Sequence, residues 1–132
     1  MLEIHAGFML AGFFSMLTGV TIAMSARKKK WWLSIHKKLG SAGSSSVILG
    51  FIAALYMVSR DTGEHFAVPH TYLGIVTILA VSFTYTMGIM QFKVRRKAVN
   101  IRLIHRWSGR VRVTLSLMLL NVLSGFFLTG ML

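Results

Sequence analysis

Four long apolar runs divide the chain, at about Ile4 to Met24, Leu39 to Ser59, Val68 to Phe92 and Val113 to Leu132, each open to extension at its charged end. The first is interrupted only by His5 and scattered Ser and Thr. At about 1.5 Å of rise per residue its length matches a hydrocarbon core roughly 30 Å thick. The other three are comparable. The pattern predicts an all-α chain, with residues 1–132 forming a single integral membrane four-helix bundle in which successive helices run up and down as antiparallel neighbours.

Polar positions between the runs set the orientation. Of fifteen Lys and Arg, fourteen lie in the first and third connections or on their helix shoulders, and only Arg60 lies at the other end with Glu3, Asp61 and Glu64. Short loops rich in Lys and Arg stay cytoplasmic. Segments 25–38 and 93–106 are therefore expected inside, and both termini and segment 60–68 outside. Trp31, Trp32 and Trp107 then fall at the inner interface, and Tyr56 and Tyr72 at the outer one, where amphipathic rings settle. The first run has no basic stretch before it, so it reads as a retained helix and not as a cleaved signal.

Composition agrees. The chain is 55% hydrophobic with a mean hydropathy of +0.66, above what a soluble domain of this size carries. The net charge of +12 would suggest nucleic acid in a soluble protein, but two basic blocks between apolar runs describe membrane topology, and no nucleic acid partner is expected. The absence of cysteine excludes disulfides, thiolate metal sites and covalent C-x-x-C-H haem attachment. No paired buried carboxylates, nucleophile motif or phosphate-binding glycine loop is present, so hydrolytic chemistry has no footing.

His5, His36, His70 and His105 are spaced 31, 34 and 35 residues apart, one near the start of each helix. Antiparallel helices place His5 with His70 at the outer face and His36 with His105 at the inner face. Neutral imidazole is a strong axial ligand for haem iron, and two of them fill both axial positions, which suits electron transfer. One such histidine alone reads as an interfacial side chain reaching water. Four at alternating depth read as two ligand pairs, because ionisable groups within membrane helices face the interior with a partner.

Glycines accompany them. Gly40, Gly74 and Gly109 follow three of the histidines at i+4. Gly12 and Gly19 lie at i+7 and i+14 of His5, as Gly43 and Gly50 do of His36, along the same helix faces. Small residues allow close helix packing. They also leave room for a flat ring, with Gly19 at the depth of the inner pair and Gly50 at that of the outer pair, because fourteen residues span about 21 Å. Helices three and four offer only Thr84 and Leu119 at that offset.

The segments I-H-A-G-F-M (4–9), I-H-K-K-L-G (35–40), P-H-T-Y-L-G (69–74) and I-H-R-W-S-G (104–109) resemble the four haem-binding helices of the cytochrome b561 family. The likeness covers nearly the whole chain. It implies two haem b groups, one shared by the first and third helices and one by the second and fourth. It also implies electron transfer from a cytoplasmic reductant such as ascorbate to an external acceptor such as monodehydroascorbate or ferric iron. Family members typically have six helices, and the two flanking ones are not in this sequence. Lipid, a second protomer or another subunit is expected on those faces.

Arg110 and Arg112 stand where the family pattern leads one to expect apolar residues. They leave Val113 to Leu132 as a bare span and place His105 towards the interface, as Lys37 and Lys38 do His36, so a shallow inner haem is expected. Arg112, and with it Arg110, is a candidate partner for an inner haem propionate, with snorkelling to lipid phosphate as the other reading. The family binds anionic ascorbate with basic residues just before the cytoplasmic histidines, which makes Lys30, ahead of His36, and Arg102, ahead of His105, inner-side candidates, with Lys37 and Arg106 beside the ligands. A basic collar equally fixes topology and attracts anionic lipid. His65 is a candidate proton or hydrogen-bond donor to an outer substrate, or a solvated loop residue. Asn121 could bond a ligand imidazole or haem edge, or bridge helices. The nine methionines read as gap-fillers.

Two functions compete, since the haem chemistry is the cofactor's. One is a di-haem cytochrome passing electrons from an ascorbate-like or quinol reductant to a small acceptor or a partner redox protein. The other is a haem-bearing anchor subunit of a larger quinol-linked respiratory complex. A haem-free scaffold would require the four histidines to be coincidental.

Overall fold

A computed structural model describes residues 1–94, 98–109 and 113–130. Five helices follow in order: α1 (Leu2–Ser25), α2 (Trp32–Asp61), α3 (Pro69–Lys93), α4 (Ala98–Gly109) and α5 (Thr114–Leu128). There are no strands among the described residues. α1, α2 and α3 are each long and apolar enough to cross a membrane, and a fourth candidate span, Val99–Leu128, takes in α4 and α5.

Two boundaries differ from the hydropathy pattern. α2 starts at Trp32, seven residues ahead of its apolar run, because a helix continues through basic residues whose side chains can reach water. Lys37 and Lys38 are exposed there and His36 is half-buried. At the fourth span the basic shoulder is itself helical, forming α4 with His105 near its end. Arg110 and Arg112 lie outside the described residues.

Local chemistry explains several ends. Pro69 opens α3 at its first turn, where a missing N–H costs nothing and the fixed φ suits a helix. Gly63, at φ +72°, terminates α2 by turning its N–H back to the Val58 carbonyl at 2.8 Å, a left-handed conformation that glycine takes without strain.

The helices form a ring in which α1 packs on α2, α2 on α3, α3 on α4 and α5, and α5 on α1. α1 therefore faces α3 diagonally, and α2 faces α4. The closest contact is between α1 and α2. A Cβ on Gly12 would lie 2.7 Å from Val47 Cγ2 and 3.2 Å from the Gly43 carbonyl oxygen, and one on Gly43 would lie 2.5 Å from Met16 Cγ. The space at both glycines is taken by the neighbouring helix, so they serve the helix crossing.

Met9, Val47, Val81, Leu115 and Met118 form the core, and it is small. Phe14, Ile52, Leu79, Leu103 and Phe127 are all exposed, whereas Ser44, Thr77, Thr84, Thr114 and Asn121 are buried. Apolar residues outside and polar ones between helices are what a lipid environment requires, because lipid offers backbone and hydroxyl groups no partner. Thr84 and Thr114 share a 2.8 Å hydrogen bond between α3 and α5, and Thr77 donates to the Leu73 carbonyl at 2.7 Å and reaches the Leu117 carbonyl of α5 at 3.4 Å. Thr84→Val keeps the shape and removes the hydroxyl. It should lower stability by about 0.6–1.7 kcal/mol, measured by denaturant unfolding in detergent micelles, with less than additive loss when combined with Thr114→Val.

Candidate functional site

The ring brings the four histidines together in two pairs across its diagonals; three lie in the first turns of their helices, whereas His105 lies near the end of α4. His5 of α1 and His70 of α3 have ring centroids 6.2 Å apart with planes at 85°. His36 of α2 and His105 of α4 have centroids 6.1 Å apart with planes at 70°. We refer to the first as the distal pair and to the second, beside the basic connections, as the basic-end pair. A first-row metal bonds an imidazole nitrogen at about 2.0–2.1 Å, and that nitrogen lies roughly 1.1 Å from its ring centroid, so two imidazoles on opposite sides of one metal stand with centroids about 6.2–6.4 Å apart. The distal pair, at 6.2 Å, is at that separation and the basic-end pair, at 6.1 Å, is just inside it.

Hydrogen bonds settle which ring nitrogen is free. Nδ1 of His5 donates to the Gly50 carbonyl at 2.8 Å, Nδ1 of His36 to the Gly19 carbonyl at 2.9 Å, and Nδ1 of His105 to the Thr84 carbonyl at 2.9 Å. A carbonyl only accepts, so each Nδ1 carries the proton. His70 Nδ1 meets Ser124 Oγ at 2.8 Å, and that hydroxyl donates its own hydrogen to the Asn121 carbonyl at 2.9 Å, leaving the oxygen to accept. In its neutral form each of the four imidazoles therefore keeps an Nε2 lone pair. Metal-bound histidines are held in this way, with the second N–H anchored to a neighbouring acceptor.

The acceptors come largely from the positions fourteen residues beyond a histidine of the adjoining helix. Gly19 and Gly50 sit at the depths expected, but they contribute carbonyls to the neighbouring imidazole. Thr84, at the same offset from His70, does likewise. Leu119 does not; it is exposed, and Ser124, five residues further on, takes the role. Glycines also make room for the rings. A Cβ on Gly88 would lie 2.9 Å from His105 Cε1, and one on Gly125 would lie 3.3 Å from His70 Cε1. Gly88, eighteen residues and five full turns beyond His70, lies on that histidine's own face of α3, a signal the sequence carried; Ser124 and Gly125 were not legible because α4 and α5 are separate helices and no single helical face joins them to His105. Trp32, one turn before His36, packs on it at 6.1 Å between centroids.

A cavity of about 290 Å³ opens at the distal end, lined among others by His5, His65, His70, Gly74 and Asn121. Its wall is mostly apolar, as a largely hydrophobic macrocycle needs. Asn121 is 2% exposed, and its Oδ1 is buried without a partner. The open space beside Gly74, where a Cβ would meet only Asn121 Oδ1 at 3.9 Å, is one turn from His70. His65 donates Nε2–H to Ser59 Oγ at 3.2 Å, since that hydroxyl is committed to the Leu55 carbonyl at 2.8 Å. At the other end Lys30, Lys37, Arg102 and Arg106 are exposed, and the Lys37 ammonium lies 3.9 Å from the centroid of the Phe92 ring, a cation–π contact.

Fold and site together define a multi-pass membrane protein whose helices enclose two facing imidazole pairs. A family model described as Eukaryotic cytochrome b561 matches residues 4–131. The chain belongs to the cytochrome b561 family, whose members bind haem b and transfer electrons in membranes. Comparison with curated proteins and with solved structures returned no match.

Proposed function

We propose that the chain is a two-haem b-type cytochrome that carries electrons across the membrane, in which His5 and His70 would hold a distal haem and His36 and His105 a basic-end haem. The observation that carries this reading is the pair of centroid separations, 6.2 and 6.1 Å, combined with four Nε2 atoms left free by anchored Nδ1 groups. Haem held by these residues would supply one-electron redox chemistry.

The chain's own residues supply the rest. The anchored Nδ1–H groups fix each imidazole's tautomer and orientation. Between the two levels the core of Val47, Val81, Leu115 and Met118, each at most 4% exposed, excludes water. The basic connections mark the cytoplasmic end by the loop-charge rule, which assigns an ascorbate-like or quinol reductant to the basic-end pair and an acceptor such as ferric iron, monodehydroascorbate or a redox partner to the distal one. Lys30, Arg102 and Arg106 form an anion-attracting rim for the reductant; Lys37 is held over Phe92. His65 lines the distal cavity with its Nε2–H held by Ser59, which leaves Nδ1 to accept a hydrogen bond from an outer substrate.

Protein purified in detergent should contain two haem b per chain by pyridine haemochromogen assay and be reduced by ascorbate in the absence of any other subunit. Colourless, folded protein would overturn the reading. Reduction only by quinol, or only with a co-purifying subunit, would favour the anchor-subunit function.

A further inference from the structure

The four imidazoles are not anchored alike. Both ligands of the basic-end pair donate Nδ1–H to main-chain carbonyls, of Gly19 and Thr84. The distal pair has one carbonyl, that of Gly50, and one side-chain hydroxyl, Ser124 Oγ at 2.8 Å from His70 Nδ1. We infer that Ser124 is the positioning residue that sets the distal haem above the basic-end haem in reduction potential, so that electrons run from the basic end outwards. This rests on the two-haem reading.

The chemistry runs through ligand basicity. An acceptor at Nδ1–H pushes electron density into the imidazole and raises its basicity towards the metal. A more basic axial ligand favours the ferric state, and outer hydrogen bonds are among the levers by which a protein sets haem potential. An amide carbonyl oxygen is a stronger acceptor than a neutral hydroxyl oxygen. Two carbonyls on the basic-end pair therefore hold its haem lower, and the hydroxyl on His70 lets the distal haem rise. Ser124 is itself oriented: its O–H is spent on the Asn121 carbonyl at 2.9 Å, so it cannot turn and donate to His70, a bond that would put the proton on Nε2. Gly125, whose Cβ would come within 3.3 Å of His70 Cε1, keeps the ring seated against it. Of the four anchors, this alone belongs to a side chain, so substitution can remove or replace it without touching the backbone.

The test is a redox titration of the holoprotein, following both haems by absorbance, with the distal one assigned in a His36→Leu background. Ser124→Ala removes the acceptor and should raise the distal midpoint. Ser124→Asn installs an amide carbonyl, the kind of acceptor that serves the other three histidines, and should lower it. Ser124→Thr keeps the hydroxyl and should leave it in place. The basic-end midpoint should not move in any of them. The expected shift is up to roughly tenfold in the reduced-to-oxidised ratio at fixed ambient potential, and tenfold is about 59 mV for a one-electron couple. If Ser124→Ala sheds the distal haem, Ser124→Asn decides alone, and a distal midpoint unchanged or raised in it overturns the inference. So do Ala and Asn shifts of the same sign with both haems bound, which leave the two-haem reading standing. Wild-type protein without two haems overturns that reading itself.

Discussion

His36→Leu is expected to halve the haem content of the purified protein and to leave the second haem spectrally intact, because a bis-histidine site loses one of its two axial bonds while the distal pair, about 21 Å away along the helices, keeps both. His105→Leu should give the same result. The sharper expectation concerns combinations. His36 and His105 face each other at 6.1 Å, so the double variant should lose no more haem than either single one, as for any two groups that act as a unit. Combining His36→Leu with His5→Leu, which touches both diagonals, should remove all haem. The pyridine haemochromogen assay on size-exclusion-purified protein reads each case. Loss of both haems from His36→Leu with His105→Leu, while the fold persists, would show that the ligands are paired differently.

The largest loss of stability from a single methyl group is expected at Gly12. A Cβ there stands 2.7 Å from Val47 Cγ2, and Val47 is 1% exposed. A buried β-branched side chain has no other rotamer to retreat to, and the Gly43 carbonyl behind it, at 3.2 Å, is backbone. α1 and α2 must therefore separate. Overpacking of this kind costs about 1–3 kcal/mol, and the separation also draws the Gly19 and Gly50 carbonyls away from His36 and His5, so Gly12→Ala should weaken haem retention as well as lower the melting temperature. Gly7→Ala and Gly40→Ala, where an added Cβ would meet nothing within 4 Å, serve as controls and should melt no lower than wild type. Gly43→Ala should be milder than Gly12→Ala, since the Met16 side chain it meets is flexible.

The amino-acid sequence by itself determined the membrane class, the four apolar runs and the grouping of four histidines into two levels. Each depends on a period or a count along one helix: length against bilayer thickness, charge per connection, and one imidazole per run. The offset of fourteen residues that places Gly19, Gly50 and Thr84 level with a neighbouring helix's histidine has the same origin, a constant rise per residue. It failed at Leu119, because the fourth span is divided into α4 and α5 and the offset no longer measures depth there. What only the tertiary structure decided is how helices meet. That Gly12 and Gly43 pack against each other's helices, that Nδ1 of each histidine reaches an acceptor on a neighbouring helix, and that Ser124 is the one hydroxyl among those acceptors all follow from the rotation of each helix about its axis. That rotation is set by contacts between residues 17 to 54 positions apart, and no periodicity within a single run encodes it.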